Sequence, residues 1–205
     1  SGMFYEFVTA DEFFHEKPKR LTITEVEIGV NYVMIISTTA GLWAYNIGDT
    51  VQFTSVKPYK VIVSGRIKHF ISAFGEHVIA KEVEYAMQEA AEASGASISE
   101  FSVAPQITPE GEQLPYHEWF IEFEKEPDEM EEFRKKLDEA MQQQNSYYLD
   151  LIKGNILQRL KISKVPAGGF QQYMKSIGKL GGQNKLPRLA NDRKIADELE
   201  KIRKQ

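Results

Sequence analysis

A short stretch of the sequence carries an acidic and a basic side chain, each directly after a glycine at the expected end of an apolar strand. Asp49 ends the run Gly41-Leu-Trp-Ala-Tyr-Asn-Ile-Gly-Asp49, and Arg66 ends Val61-Ile-Val-Ser-Gly-Arg66. A carboxylate just beyond a strand can accept hydrogen bonds from both hydroxyls of a ribose, and an arginine on the next strand can reach the same sugar or a phosphate. A lone Gly-Asp pair is common in turns, where the aspartate usually caps the backbone. The order of the two runs, followed by Phe74-Gly-Glu-His-Val78, is therefore the stronger signal.

A second candidate lies in the run Gly182-Gln-Asn-Lys-Leu-Pro-Arg188. Adjacent glycines predict a flexible loop, and Pro187 restricts its geometry, so Lys185 and Arg188 are expected to be mobile cations. On its own this pattern favours a solvated basic loop at the surface. A lysine ammonium is also a compact charge that can stabilise negative charge developing on a phosphate.

The elements that must position Asp49 and Arg66 are predicted to be strands. Apolar patterning predicts strands over residues 4–8, 21–28, 31–38, 42–45 and 50–53. Short spacing and turn residues favour antiparallel pairing, so residues 1–57 are predicted to form a small antiparallel sheet or open β-barrel. Lys57-Pro58 interrupts the pattern, because proline lacks an amide donor and restricts the residue before it. We place the domain boundary there.

Helices and strands alternate in the second predicted domain, residues 58–205. The predicted helices cover residues 80–93, 128–144, 147–153, 169–178 and 191–205, and the predicted strands cover 98–104, 118–124 and 158–165. Gly95 is expected to end the first helix, and the turn Pro109-Glu-Gly-Glu-Gln to join the first two of these strands in a hairpin. The predicted class is α+β, with an antiparallel β-barrel remnant followed by an α/β sandwich.

The composition bounds the function classes. The chain has 205 residues and a formal net charge of -5, so it has no general attraction to nucleic acid or to an anionic membrane. It contains no cysteine, which excludes disulfides, thiolate metal sites and a cysteine nucleophile. No apolar run is long enough to cross a bilayer, and the histidines lack the spacing of a metal site. We therefore expect a cytoplasmic protein without metal ligands and without a nucleic-acid or membrane partner.

The runs around Asp49 and Arg66 resemble the plant auxin-responsive (Gretchen Hagen) family of acyl-acid amido synthetases, which are adenylate-forming enzymes. The usual run of that family is Gly-Leu-Tyr-Arg-Tyr-x-x-Gly-Asp. Tyr45, Gly48 and Asp49 match it, whereas Trp43 and Ala44 depart from it.

Two further runs are similar to the same family. Gly182-Gln-Asn-Lys-Leu-Pro-Arg188 resembles its Gly-Gln-Tyr-Lys-x-Pro-Arg loop, with Asn184 in place of the aromatic residue. Phe4-Tyr-Glu-Phe7 resembles its Tyr-Phe-Glu-Phe strand. The resemblance covers residues 4–188, and we expect a bacterial member of the family.

The resemblance implies a two-step ligase with a mobile C-terminal lid. A carboxylic acid and Mg²⁺-bound ATP would give an acyl-AMP, and an amine, typically an amino acid, would then displace AMP and form an amide. By the same resemblance Asp49 binds the ribose, Arg66 the ribose or the phosphate side, and Lys185 the transition-state charge. Further candidates for nucleotide contacts are Tyr5, Glu6 and Tyr45. For Tyr5 and Glu6, a strand whose side chains alternate between core and solvent is an equally good interpretation.

The sequence begins inside an expected strand, with no segment leading into it, so we expect a truncated form of a longer protein. In the family, an N-terminal adenylation domain with the phosphate-binding loop precedes this strand. The chain alone is therefore predicted to be inactive and to bind ATP weakly. Two alternatives stay open: a non-catalytic ligand-binding or protein-interaction module with the same fold, and a ligase that forms an acyl thioester.

Overall fold

The computed structural model describes residues 2–67, 70, 71, 73–181 and 184–204. The chain divides into two compact units, Ser1–Phe70 and Ile71–Gln205. Lys57-Pro58 forms the turn of a hairpin inside the first unit. The domain boundary predicted at that turn stays a prediction.

The first unit is built on a four-stranded antiparallel sheet. Its strands, in both chain order and spatial order, are β1 (Met3–Thr9), β2 (Asn31–Thr38), β3 (Tyr45–Val56) and β4 (Tyr59–Arg66). The antiparallel pairing confirms the prediction, but the barrel does not form. A barrel closes only when its first and last strands pair. Here Phe7 and Leu21 exchange backbone hydrogen bonds of 2.9 and 2.7 Å at the outer edge of β1, on the side that β4 would need.

Two predicted strands are wrong. Of the strand predicted over residues 42–45, residues 42–44 form no strand, because Ala44 adopts φ of +48° and β3 begins only at Tyr45. Residues 21–28 form isolated bridges at their two ends, around a short 3-10 helix at Ile23–Glu25. The side chain of Glu25 accepts hydrogen bonds from the amide and the hydroxyl of Thr22, at 2.8 and 2.9 Å. Such local side-chain bonds compete with the sheet for the backbone, which the apolar-polar alternation of this segment does not reveal.

The core of the first unit is aromatic. Phe7, Tyr32 and Phe53 come from three adjacent strands and meet edge to face, with ring centroids 5.2 to 6.1 Å apart. Val26 and Val51 complete the buried cluster. Because alternate residues of a strand point to one face, one apolar residue in two suffices to build this layer.

The second unit contains the remaining helices and a three-stranded sheet. Two short strands, β5 (Phe70–Ile71) and β6 (Val78–Ile79), come before its first helix. The other elements are α1 (Ala80–Ser94), β7 (Ser97–Gln106), β8 (Tyr116–Lys125), α2 (Met130–Gln144), α3 (Ser146–Lys153), β9 (Lys161–Val165), α4 (Gly169–Ser176) and α5 (Lys194–Arg203). β8 is central, antiparallel to β7 and parallel to β9. The helix and strand predictions for this unit are confirmed apart from their end residues, and Gly95 ends α1 with φ of +64°.

The two faces of this sheet are covered by different helices. Trp119 and Ile121 of β8 lie in a core cluster with apolar residues of α1, α2 and α3. Phe120 points to the opposite face and packs with residues of α4 and α5. Helices on both faces of a sheet produce the mixed architecture that the sequence predicts, and the α+β class is confirmed. Among the described residues, no helix is long and apolar enough to cross a membrane.

Candidate functional site

Asp49 and Arg66 stand directly opposite each other on β3 and β4. Arg66 Nε lies 3.3 Å from Asp49 Oδ1, and the two side chains are 69% and 33% exposed. Exposed ion pairs stabilise a fold by at most about 1 kcal/mol, so both groups can exchange this contact for a ligand with little loss. The structure therefore brings together the two residues that the sequence predicted to act together.

The backbone at Asp49 bulges out of the sheet. Residues 47–49 stand opposite the single residue Met34 of β2, so β3 passes through the Gly48-Asp49 position that the sequence predicted to break it. Gly48 adopts φ of +83°, which favours glycine, and its amide donates to Asn46 Oδ1 at 2.8 Å. A bulge re-aims the side chains of its strand locally, and Asp49 lies within this one.

Tyr5 and Tyr45 flank Ile36 from the two neighbouring strands. Directly opposed residues of an antiparallel sheet share a face, so the two tyrosines lie on one face of the sheet. Their side chains are half-exposed. Glu6 alternates to the other face, where its carboxylate pairs with Arg20 Nη1 at 3.1 Å. The structure thus groups the tyrosines and separates Glu6 from them, while all three roles stay predictions.

The first unit also exposes an apolar groove of about 500 Å³. Met3, Phe4 and Trp43 line it, and the Trp43 side chain is 83% exposed. Contiguous exposed apolar surface indicates contact with a ligand or with another polypeptide segment. Trp43, where this chain departs from the family's usual tyrosine, is therefore a surface residue.

Lys185 is exposed on an irregular segment whose neighbours are fixed. Leu186 packs against the cluster on one face of the second unit's sheet, and Leu189 is fully buried in the cluster on the other face. Gly182 and Gln183 of the predicted loop lie outside the described residues. The lysine thus projects from a segment held within four residues by both sides of the sheet.

The segment after Lys185 joins the edge of β7. The amide of Val103 donates to the carbonyl of Arg188 at 2.9 Å, and the amide of Ala190 donates to the carbonyl of Val103 at 3.0 Å. The hydroxyl of Ser102 donates to the carbonyl of Pro187 at 2.9 Å. These bonds make a short parallel pairing, so the segment ends in a sheet contact.

Arg188 is not the mobile cation that the sequence predicted. Its guanidinium pairs with Glu84 of α1 and Glu100 of β7, and lies 4.5 Å from the ring centre of Phe101. Burial lowers the pKa of Arg188, while the carboxylate of Glu84 raises it. The basic run therefore contains one exposed lysine and one anchored arginine.

Two glutamates of β8 hold the helices on either side of the Lys185 segment. Glu118 accepts from Arg193 Nη2 at 2.8 Å, at the start of α5, and from the hydroxyl of Ser163 at 2.6 Å. Glu122 accepts from the amides of Gly168 and Phe170 at 2.8 and 3.3 Å, at the start of α4. The sequence analysis missed both residues. Their spacing of four along a strand, with Phe120 between them, places all three on one face and was the available signal.

A buried polar network lies behind the Gly75-Glu76 turn. Glu76 and His117 are at most 1% exposed, and His117 Nε2 lies 2.7 Å from Glu76 Oε1. Burial raises the pKa of Glu76, but the hydrogen bond and charge of His117, with the amide of Phe74, outweigh burial and lower it. Asn145 Nδ2 donates to the carbonyl of Glu76 at 2.9 Å. Glu76 therefore joins three segments of the second unit from inside the core.

Among the described residues, no group of three or more histidine, aspartate or glutamate side chains could hold a metal ion. His117 is committed to the buried network. His69, one of the four histidines of the chain, lies outside the described residues.

Two family models match the chain. The GH3 family central domain matches residues 1–66, and the GH3 family C-terminal domain matches residues 81–194. The chain belongs to the GH3 family. Asp49 and Arg66 fall within the central-domain match of this GH3 chain, and Lys185 within the C-terminal match.

Two curated relatives are named as amido synthetases. The chain is 26% identical over 197 residues to indole-3-acetic acid-amido synthetase GH3.3 of Arabidopsis thaliana, a match that covers 90% of this chain and 33% of the relative. It is also 26% identical over 196 residues to indole-3-acetic acid-amido synthetase GH3.10 of the same plant, covering 91% and 32%. The GH3 chain therefore spans about a third of the length of the curated relatives it matches.

A solved structure has the same fold. GH3.15 acyl acid amido synthetase aligns with a TM-score of 0.68 and 20% identity, over 98% of this chain and 37% of that chain. The likeness supports the architecture described above.

Proposed function

We propose that this GH3 chain is the central and C-terminal part of an ATP-dependent ligase. In the first step a carboxylate attacks the α-phosphorus of ATP, forming acyl-AMP and releasing pyrophosphate. In the second step an amine, typically from an amino acid, attacks the acyl carbon and AMP leaves with the electrons of the broken bond. The prediction of a bacterial source stays part of this proposal.

The observation that carries the proposal is the Asp49–Arg66 pair. A carboxylate on the bulged strand β3 and a guanidinium at the end of β4 stand side by side, accessible to a ligand, in a chain that belongs to the GH3 family. Asp49 would accept hydrogen bonds from the ribose hydroxyls, and Arg66 would donate hydrogen bonds to the sugar or the phosphate. Tyr5 and Tyr45 would border the nucleotide from one face of the sheet. Glu6 lies on the opposite face, paired with Arg20, so its nucleotide contact stays a prediction that this grouping does not support.

Lys185 would act at the reacting phosphate. Its exposed side chain can bring a compact positive charge to the α-phosphate as pyrophosphate leaves. Magnesium would arrive with ATP, since Mg²⁺ is usually held by substrate phosphates, waters and one or two carboxylates.

The test is ATP–pyrophosphate exchange by the parent protein, in which this chain follows the proposed N-terminal adenylation domain, across a panel of carboxylic acids. We expect Lys185→Met to lower the exchange rate by about a hundredfold, as removal of a transition-state charge contact does. Lys179→Met, a change at another exposed lysine before the same segment, is the matched control and should leave the rate unchanged. Lack of exchange with every acid would reject adenylation and favour a non-catalytic binding module.

The chain by itself provides a second test. We expect it to form no acyl-adenylate with any acid of the panel, because the phosphate loop belongs to the proposed N-terminal domain. Acyl-AMP production by the purified 205-residue chain would contradict this part of the proposal.

A further inference from the structure

The segment that carries Lys185 is anchored by the residues that follow the lysine and not by the lysine side chain. Leu186 and Leu189 enter the clusters on opposite faces of the second unit's sheet, so the backbone between them crosses the edge of β7. Among the described residues, the Lys185 side chain makes no ion pair within 4.0 Å. The position of its ammonium therefore depends on how firmly residues 186–190 are held.

Arg188 contacts β7 through a hydrogen bond, an ion pair and an aromatic ring. Its Nη1 donates to the carbonyl of Phe101 at 3.2 Å, and its guanidinium stacks on the Phe101 ring. The same guanidinium pairs with Glu100 on β7 and, through Nε at 3.7 Å, with Glu84 on α1. One side chain thus ties the segment to a strand and to a helix.

We propose that Arg188 is a positioning residue, which fixes residues 186–190 against β7 and thereby sets where the Lys185 ammonium can reach. The inference rests on the proposed function, because it assigns Lys185 to the reacting phosphate. It differs from a direct catalytic role. Two carboxylates already face the single guanidinium of Arg188, so the arginine would have to leave both of them to bind a phosphate.

The geometry favours arginine over lysine at this position. The planar guanidinium donates to a carbonyl, pairs with carboxylates in different directions and stacks on an aromatic face at the same time. A lysine ammonium keeps the charge but loses the fork and most of the stacking. Arg188→Lys should therefore restore part of what Arg188→Ala removes.

Hydrogen exchange of the 205-residue chain tests the anchoring without any activity. The amides of Val103 and Ala190 report on the anchoring directly. The first donates to the carbonyl of Arg188, and the second donates to the carbonyl of Val103. In Arg188→Ala we expect both amides to exchange about tenfold faster while protection elsewhere in the sheet is retained, as in a local opening. Ser102→Ala, which removes only the hydrogen bond to Pro187, should act in the same direction but less strongly.

Arg134→Ala is the matched control for the exchange experiment. Arg134 pairs with Glu131 on the surface of α2 and makes no hydrogen bond or ion pair with β7 among the described residues. Arg134→Ala should leave the exchange rates of the Val103 and Ala190 amides unchanged. Unchanged exchange at Val103 and Ala190 in Arg188→Ala, or faster exchange across the whole sheet, would overturn the inference.

Pyrophosphate exchange by the parent protein tests the effect on Lys185. Arg188→Ala should lower kcat by about a hundredfold, the effect of a misplaced catalytic group, with the KM for ATP nearly unchanged and partial recovery in Arg188→Lys. An unchanged kcat in Arg188→Ala, where Lys185→Met lowers exchange as expected, would reject the positioning role. If Lys185→Met itself has no effect, the proposed function of Lys185 fails, and hydrogen exchange still decides the anchoring.

Discussion

The environment of a single residue decides which of the chain's charged groups serve the fold and which are open to a ligand. Asp49 and Glu76 are both carboxylates beside a glycine in the runs that carry the family resemblance. The bulge of β3 leaves Asp49 accessible, whereas Glu76 is fully buried and bonded to His117. The sequence predicted that Asp49 and Arg66 serve one site because residue order and turn glycines are local signals. It could not predict the partner of Glu76, which lies 41 residues away.

The first prediction concerns the accessible carboxylate. Asp49→Asn keeps the shape of the side chain but removes its charge, so hydrogen bonds from sugar hydroxyls lose their charge-assisted strength. We expect the affinity of the parent protein for ATP to fall about tenfold, the effect of losing 1.4 kcal/mol. Isothermal titration calorimetry measures it, with Asp150→Asn on α3 as the control. Equal affinities of the two variants would argue against a ribose contact at Asp49.

The second prediction concerns the buried carboxylate. Glu76→Gln should destabilise the chain by about 1–3 kcal/mol at neutral pH, because His117 and the Phe74 amide lose an ionised acceptor inside the core. Urea unfolding measures the change, and Glu131→Gln on the surface of α2 should have little effect. A stability equal to that of the unmodified chain would mean that the carboxylate charge contributes nothing there.

The pH dependence of that change follows from the direction of the pKa shift. The pKa of Glu76 lies below its ordinary value of 4.5, so the ionised carboxylate stabilises the fold above that pH, and the effect is lost as pH falls through the folded-state pKa. Burial raises the pKa of Glu82, so Glu82 changes the stability with pH in the opposite direction. Because both proteins contain Glu82, its contribution cancels in their difference. The stability difference between the chain and Glu76→Gln should therefore shrink below pH 4.5. A difference that grows on acidification would contradict the assignment.

At the scale of elements, periodicity predicts helices well and irregular strands poorly. The helix predicted over residues 80–93 has a clear apolar face and a glycine after its end, and α1 shows both features. The strand predicted over residues 21–28 fails because hydrogen bonds between Thr22 and Glu25 turn the backbone. Similarly, a glycine inside β3 marks a bulge, which the sequence alone does not distinguish from a strand end.

The face of β8 that packs against α4 and α5 gives the prediction at this scale. Glu122 accepts hydrogen bonds from two amides at the start of α4, where a negative charge also complements the helix dipole. Glu122→Gln should destabilise the second unit by about 0.5–2 kcal/mol and speed amide exchange in α4 first. Glu124→Gln, on the same strand but exposed, is the control. Identical exchange of α4 in the two variants would show that the charge of Glu122 does not hold the helix.

At the scale of the whole molecule, the chain consists of two compact units with separate cores. The first is organised around Phe7, Tyr32 and Phe53, and the second around the two faces of β8. Composition and patterning predicted a β-rich first part and a mixed second part. They could not show that the sheet of the first part stays open, because strand closure depends on which edges meet in space.

The prediction for the whole molecule concerns independent folding. Because the second unit buries its own core, residues 71–205 expressed alone should fold cooperatively, with the helix and sheet content described here. Circular dichroism through a urea titration measures the transition. A gradual, non-cooperative loss of signal would show that this unit depends on residues 1–70 for its core.

The two tryptophans lie in different units and in different environments, so their intrinsic fluorescence can report on the units separately. Trp43 belongs to the first unit and faces solvent, whereas Trp119 is fully enclosed in the core of the second. An indole in water emits at longer wavelengths than one in an apolar core, so the two fluorophores give separable spectra. In Trp43→Phe, all remaining tryptophan emission comes from the second unit, and a shift to longer wavelengths would follow the opening of that unit without an attached dye.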